Sequence, residues 1–364
     1  MKRIFTSIVL LFLLSACTKN EDSEDNTALP PAELKTEILT QSLTLPWEIL
    51  YGPDNFIWLT ERSGKISRLN PQNGVVALLH TISEVTSIGE GGLLGMVLHP
   101  QFSANPYVYV IYDYGSGNNY KGKVVRFTFN NGTLNSPTVL LDQIPASTIH
   151  NGSRLLITPD QKLLITTGDA SASAQAQNKN SLSGKILRIN LDGTIPADNP
   201  IANNPLWTYG HRNPQGLVFA NDKLYSSEHG PDNDDEINLI QKGRNYGWPN
   251  VEGFCDKDGE KNFCAINDVA EPLIAWTPTI APSGLTYYNS DYIPQWKNSL
   301  LLAMLKGSKL VQLQLDATGT KVTGSKDLFT TFGRIRAVCQ SPEGKVYIAT
   351  SNGSNDKIIE ISKR

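Results

Sequence analysis

Gly52-Pro53-Asp54-Asn55-Phe56-Ile57-Trp58-Leu59 decides the fold class of this chain. A Gly-Pro-Asp-Asn turn runs straight into large apolar residues, as a β-strand does on leaving a tight turn. The phrase returns as Thr158-Pro159-Asp160-Gln161-Lys162-Leu163-Leu164-Ile165, Ala220-Asn221-Asp222-Lys223-Leu224-Tyr225 and Ser341-Pro342-Glu343-Gly344-Lys345-Val346-Tyr347-Ile348. A second phrase follows as its hairpin partner: Gly64-Lys65-Ile66-Ser67-Arg68-Leu69-Asn70, Gly184-Lys185-Ile186-Leu187-Arg188-Ile189-Asn190 and Lys357-Ile358-Ile359-Glu360-Ile361. The first phrases are separated by one or two multiples of roughly 50–60 residues, close to the longer propeller repeats. Helical periodicity is almost absent. The roughly 330 residues beyond the amino-terminal region, divided by such a repeat, give six blades. The sequence therefore predicts an all-β chain, a six-bladed β-propeller. Such a ring leaves only short, protected sheet edges and gathers loops from every blade at one end of a central channel. A large β-sandwich is the competing fold, and it does not explain the repeated phrase.

The chain has 364 residues, 40% hydrophobic and 18% charged, with a net charge of −3. This is an ordinary globular composition with ample material for a core. No basic tract is present, which argues against nucleic acid as a partner.

Lys2 and Arg3 precede an apolar stretch, Ile4 to Leu14, too short to span a bilayer comfortably. Leu14-Ser15-Ala16-Cys17 resembles the bacterial lipobox. Residues 1–16 then read as a lipoprotein signal peptide, and residues 17–32 as a lipidated Cys17 with a flexible acidic tether. Residues 33–364 form the propeller domain. The expected location is an exported lipoprotein on the periplasmic side, outer-membrane anchored or surface displayed. Ordinary secretion with a nearby cleavage is the competing reading. Cys255 and Cys264 share one polar loop, and an exported protein permits their disulfide. Cys339 reads as a buried thiol.

The richest stretch for chemistry runs from Gly210 to Trp248. It contains Gly210-His211-Arg212-Asn213-Pro214-Gln215-Gly216, then Glu228-His229-Gly230-Pro231-Asp232-Asn233-Asp234-Asp235-Glu236, then Asn245-Tyr246-Gly247-Trp248. Turn carbonyls with acidic side chains are what a hard cation such as calcium binds. His150 precedes a strand and is a natural proton acceptor near neutral pH. Asp169 ends the following hairpin and could orient that imidazole; a turn cap is its other reading. Gly89-Glu90-Gly91-Gly92-Leu93-Leu94-Gly95 lacks the strand–helix context of a dinucleotide loop, which leaves Glu90 as a residue of a channel mouth. Lys306 lies between strand-like runs. Arg334 and Arg336 stand two apart, on one face of a strand. A solvated edge would accommodate them, and so would an anion between them. With Arg212 they make four cations, which a ligand bearing several carboxylates would explain.

In this order the segments resemble the soluble, calcium- and pyrroloquinoline-quinone-dependent aldose dehydrogenases, the soluble glucose dehydrogenase and aldose sugar dehydrogenase family. The carrying residues are Gly91 to Gly95 with His99-Pro100, His150 to Arg154, Gly184 to Arg188, Gly210 to Gly216, Glu228 to Leu239, Asn245 to Pro249, Pro278 to Ser283, Leu305 to Gly307, and Arg334 with Arg336. The resemblance runs from Leu43 to the end of the chain. It implies a six-bladed β-propeller of four-stranded antiparallel blades. It also implies oxidation of aldose sugars at the anomeric carbon to lactones, by hydride transfer to pyrroloquinoline quinone (PQQ). His150 then resembles the general base, Asp169 its electrostatic partner, and Arg212 the group that stabilises charge on the quinone oxygen. Asn213, Lys306, Arg334 and Arg336 resemble cofactor clamps, and Glu90 occupies a position where the family also uses glutamine. The carbonyls of Gly230 and Pro231 resemble ligands of the calcium (Ca2+) that polarises the cofactor. Glu236 and Tyr246 resemble members of a second, structural calcium site.

The chain departs from the family pattern at several points. Ile149 precedes His150, where close glucose-oxidising members carry an acid. Trp276-Thr277 precede Pro278, so the aromatic substrate wall is shifted by one position. The segment between Asp169 and Gly184 is short, and a long insertion of the glucose enzymes is absent. A wider, more permissive sugar site is expected. The partners so implied are an aldose, an unidentified electron acceptor and, through Cys17, a membrane. Two other functions fit a propeller: capture of sugar or protein without redox chemistry, and a calcium-dependent lactonase.

Overall fold

A computed structural model describes residues 29–117 and 119–364. The expected signal peptide, Cys17 and most of the tether lie outside the described residues. Within these, 24 strands form six four-stranded antiparallel sheets.

The turn that opens each repeated phrase joins the first and second strands of a blade. Gly52–Asn55 links Pro46–Tyr51 to Ile57–Glu61, and Thr158–Gln161 links Leu155–Ile157 to Lys162–Thr167. The second phrase supplies the third strand, as in Lys65–Leu69 against Ile57–Glu61 and Lys185–Asn190 against Lys162–Thr167. The four phrases belong to the first, third, fourth and sixth blades, which accounts for their uneven spacing. In the second and fifth blades longer loops, 99–106 and 289–298, replace the turn.

Innermost strands touch around the whole circle, and Ile335–Gln340 of the sixth blade meets Pro46–Tyr51 of the first. The core is correspondingly divided into six apolar clusters, one between each pair of neighbouring blades. Trp58 and Met96 pack between blades one and two, and Tyr347 and Ile49 between six and one. Second-strand hydroxyls add a repeated tie between blades. Thr60 donates to the Leu94 carbonyl at 2.7 Å, Thr166 to Pro214 at 2.8 Å and Ser227 to Ser283 at 2.6 Å. The sixth sheet takes its outer strand, Leu34–Leu43, from the start of the domain, where it pairs with Asp356–Lys363.

One feature departs from the all-β reading. Asp258–Asn267 forms an α-helix. Its sequence is mostly polar, so no apolar stripe announces it. The Cys255–Cys264 disulfide fastens it to the loop before it, and Glu260 accepts the Lys257 N–H at 3.2 Å as a cap. Cys339 is a buried free thiol. Among the described residues no helix is long and apolar enough to cross a membrane.

Candidate active site

Loops from all six blades meet at the end of the ring opposite the short turns. Two adjoining cavities of about 200 and 450 Å³ open there, with Glu90, His229 and Ala281 lining both. The smaller also takes His150, Arg212, Gly230, Pro231, Asp235 and Thr279. The larger takes Arg62, Arg334, Arg336 and Asn352 among others.

His150 sits in the left-handed region, at φ 59°. Such a conformation is costly for a residue with a Cβ and persists only when its surroundings fix it. Glu90 accepts the His150 N–H at 3.0 Å, and the His150 carbonyl accepts from Ala170 at 3.1 Å. Gly168 permits this arrangement, because a Cβ there would lie 1.8 Å from the His150 carbonyl oxygen. The ring is held as firmly as the backbone. Its Nδ1 lies 2.8 Å from Asp169 Oδ1, which leaves Nε2 as the nitrogen free of described partners. Asp169 Oδ2 accepts the Trp248 indole N–H at 2.9 Å, and Oδ1 accepts the Ser171 N–H at 2.9 Å. Burial alone would raise the Asp169 carboxyl. The hydrogen bond and charge of His150, with the Trp248 and Ser171 donors, outweigh it and hold the group below the usual range.

Arg212 starts the fourth blade. Its backbone N–H donates to the Glu228 carboxylate, and its guanidinium donates to the His229 carbonyl at 3.2 Å. The same guanidinium lies 5.3 Å from the centre of the Trp248 ring. Burial lowers its pKa, although Asp169 and Glu228 act against that. Asn213 is fully buried and lines neither cavity. Its carbonyl oxygen takes the Gly152 N–H at 3.0 Å, and its amide nitrogen lies 3.5 Å from Glu90, so it props the Glu90 side chain from beneath.

Arg336 is buried and donates to Gln215 and, at 3.0 Å, to Ser283. Burial, followed by the charge of Arg154, pushes it down to about 9. Arg334, two residues earlier and exposed, faces the same cavity. Lys306 is exposed and lines neither cavity, but it donates at 2.7 Å to Thr279, which lines the His150 cavity. Beneath these groups lies a polar floor. Arg154 pairs with Glu48, donates to the Gln215 carbonyl at 2.8 Å and covers Trp47, with 4.2 Å to the ring centre.

Gly230 and Pro231 form a turn at the edge of the smaller cavity. Asp235 braces it, accepting the N–H groups of Gly230 at 2.8 Å, Ile280 at 2.5 Å and Ala281 at 2.7 Å. No described donor reaches either turn carbonyl. Glu236 and Tyr246 line a cleft behind the turn, together with Glu228, Asp234 and Glu252. Burial and the charge of Glu228 raise the Glu236 carboxyl well above its ordinary value. The Tyr246 hydroxyl donates to the Leu239 carbonyl at 2.8 Å. Among the described residues no three His, Cys, Asp or Glu side chains are gathered as a metal cluster.

Sequence reasoning gave no role to His229, Trp248 or Arg62. His229 lines both cavities with a buried Nε2 that has no partner among the described residues. Burial, then Arg336 and Arg212, push it down to about 3, so it stays neutral. Arg62 donates to the Gly91 carbonyl at 2.8 and 3.0 Å and secures the loop that presents Glu90. The signal for His229 was adjacency to the Gly230-Pro231 turn. Arg62 lies in an unremarkable hairpin turn and carried none.

Comparison with known proteins agrees with this geometry. Residues 43–360 match the family model for glucose/sorbosone dehydrogenases. Quinoprotein glucose dehydrogenase B of Acinetobacter calcoaceticus is 36% identical over 413 residues, covering 88% of this chain and 86% of that protein. Aldose sugar dehydrogenase YliI of Escherichia coli is 32% identical over 354 residues, covering 92% and 94%. The PQQ-bound aldose sugar dehydrogenase of Streptomyces coelicolor superposes with a TM-score of 0.79 at 30% identity, over 92% of this chain and all of that one. The apo form of soluble aldose sugar dehydrogenase from E. coli superposes with a TM-score of 0.84 at 30% identity, over 91% of this chain and all of that one. The two solved enzymes share this ring. The chain belongs to the glucose/sorbosone dehydrogenase family. The Acinetobacter alignment is longer than this 364-residue chain, so that enzyme carries segments missing here.

Proposed function

We propose that the chain is a sugar dehydrogenase that oxidises aldoses at the anomeric carbon to lactones, with PQQ as cofactor and calcium as its metal. The observation that carries this reading is one convergence. His150, fixed by Asp169, and the cations Arg212, Arg334 and Arg336 line two adjoining cavities, and Lys306 reaches their rim through Thr279.

The residues fit the cofactor. Arg212 Nε, Arg336 Nε and His229 Nε2 are buried polar atoms without described partners, all at the cavity walls. Such atoms are costly unless a ligand meets them. Arg336, Arg334 and Lys306 would hold the carboxylates of the cofactor, and the Gly230 and Pro231 carbonyls would hold calcium. Glu236 and Tyr246, with the acids around them, support a second calcium at a structural site. When bound, the quinone supplies a two-electron acceptor and calcium a Lewis acid.

The protein itself handles the proton. His150 takes it from the anomeric hydroxyl on Nε2, because Nδ1–H is committed to Asp169. Asp169 stays charged and balances the imidazolium that forms. The anomeric carbon gives up its hydrogen with two electrons and becomes the lactone carbonyl carbon. Arg212, already fixed at the cavity wall, would stabilise negative charge developing on the acceptor without reorganisation. Exposed Ile149 beside His150 offers no charge to select a particular sugar hydroxyl, which favours a permissive aldose site. The physiological electron acceptor is a separate partner. Lipid on Cys17 would keep the enzyme on a membrane outside the cytoplasm.

Reconstitution tests the reading. Purified protein with calcium and PQQ should reduce an artificial electron acceptor when given aldoses. Omitting either should abolish turnover. Sugar binding without turnover in the loaded protein would favour the capture reading, and calcium-dependent lactone hydrolysis without PQQ would favour the lactonase.

A further inference from the structure

Trp248 belongs to no cavity that holds His150, yet it touches both groups on which the proposed chemistry depends. Its indole N–H meets Asp169 Oδ2 at 2.9 Å, and its ring lies under the Arg212 guanidinium at 5.3 Å. The backbone of Trp248 is held from behind. The Trp248 N–H donates to the Gly210 carbonyl at 3.0 Å, and its carbonyl accepts from Gln177 at 2.7 Å. Gln177 and Asn245 exchange two amide hydrogen bonds of 3.0 Å each, locking the loop after Asp169 to the loop that carries Trp248. The indole is therefore fixed from the third and fourth blades at once.

We propose that Trp248 is a positioning residue that sets how strongly Asp169 binds the His150 ring, while holding Arg212 flat at the same site. The inference rests on the reading of His150 as the base. A carboxylate shares its charge among its donors. Asp169 has three: His150, Ser171 and Trp248. Removing the indole donor leaves more of that charge on the His150 Nδ1–H. The ring then holds its proton more tightly, so a smaller fraction of it is free to act as the base at low pH. Glu90, Arg212 and neutral His229 also face His150. None of them contacts the Trp248 N–H, so their influence stays constant.

The test is Trp248→Phe, which keeps an aromatic surface under Arg212 and removes only the donor. Three results are expected. The acid limb of the kcat/KM–pH profile moves to higher pH. At neutral pH kcat falls about 10-fold with KM nearly constant, the scale of one hydrogen bond to a charged group. In the cofactor-free protein, the proton resonance of the His150 Nδ1–H···Asp169 bond moves downfield. Cofactor affinity should stay within about two-fold of the parent. Trp248→Leu should additionally weaken the hold on Arg212 and lower kcat further. An unmoved acid limb with an unmoved resonance in a folded Trp248→Phe protein overturns the inference, and so does a loss confined to thermal stability. His150→Ala separates the two levels. If that variant turns over normally, the assignment of the base fails. If it is dead while Trp248→Phe behaves as the parent, only the role of Trp248 fails.

Discussion

At the end of the ring that carries the short turns, guanidinium groups are met by carboxylates. Arg68 pairs with Asp54 at 3.1 Å, and Arg188 pairs with Asp160 at 2.6 Å and Asp198 at 2.9 Å. At the mouth, Arg212 donates to a carbonyl, Arg336 to an amide and a hydroxyl, and Lys306 to a hydroxyl. None of these three pairs with a described carboxylate within the mouth. Both ends are made from the same strands and the same kinds of residue. Charge at one end is spent on holding turns, and at the other it is kept available. Leaving cations unpaired in a half-buried site costs stability. A polyanionic ligand recovers that cost, so the imbalance itself marks the functional end.

The sharpest way to break the contrast is a mutation at each end. His150→Ala should lower kcat of the reconstituted enzyme about 10²–10⁴-fold with cofactor binding retained. Asp160→Asn at the turn end should leave kcat unchanged. If the two variants lose activity equally, the ends do not differ in function. A second pair compares the cations. Arg336→Met should weaken cofactor binding about 10–100-fold by titration, without lowering the melting temperature of the cofactor-free protein. Arg188→Met should do the reverse: unchanged affinity, and a loss of about 1–2 kcal/mol, kept small because Asp160 and Asp198 are mostly exposed.

The pH dependence of folding sharpens the comparison behind the mouth. Burial raises Asp113 from 3.8 to about 7, beside the loop that presents Glu90. Between those values the folded chain keeps a proton that the unfolded chain has released. Stability should fall as pH rises through that window and level off above it. Asp113→Asn removes the effect, so its advantage over the parent in urea denaturation should grow by about 1–3 kcal/mol from pH 4 to pH 8. The opposite trend would mean that Arg62 keeps Asp113 charged. The smallest effect belongs to Lys306→Ala. Because that side chain is exposed, cofactor affinity should drop only about 3–10-fold. An unchanged titration would remove Lys306 from the mouth.

The ring was legible because four blades repeat one turn-and-strand phrase, and turn chemistry is local. The blades that begin at Leu93 and Pro282 were not individually visible, since the loops after their first strands are long and lack the Pro-Asp signature. The helix at Asp258–Asn267 was missed because its stability comes from a disulfide and a cap rather than an apolar stripe. At the mouth, the residues that bring unusual chemistry stood out from the sequence: His150, Arg212, Lys306, Arg334 and Arg336. The contacts that position them did not. Nothing local tells that Trp248 reaches Asp169 across 79 positions, or that Asn213 and Glu90 meet across 123. Such pairs exist only once the circle has brought distant loops together.

The sixth sheet joins Leu34–Leu43 to three strands from residues 335–363. A chain emerging from its amino end makes one member of that sheet first and the other three last. Until they meet, the molecule is an open arc with two bare edges, and bare edges invite pairing with a neighbour's. The sheet that closes the ring is therefore also a checkpoint. An unfinished or clipped copy has no complete mouth and cannot gather the charges that define it, so competence for chemistry arrives together with the final strand.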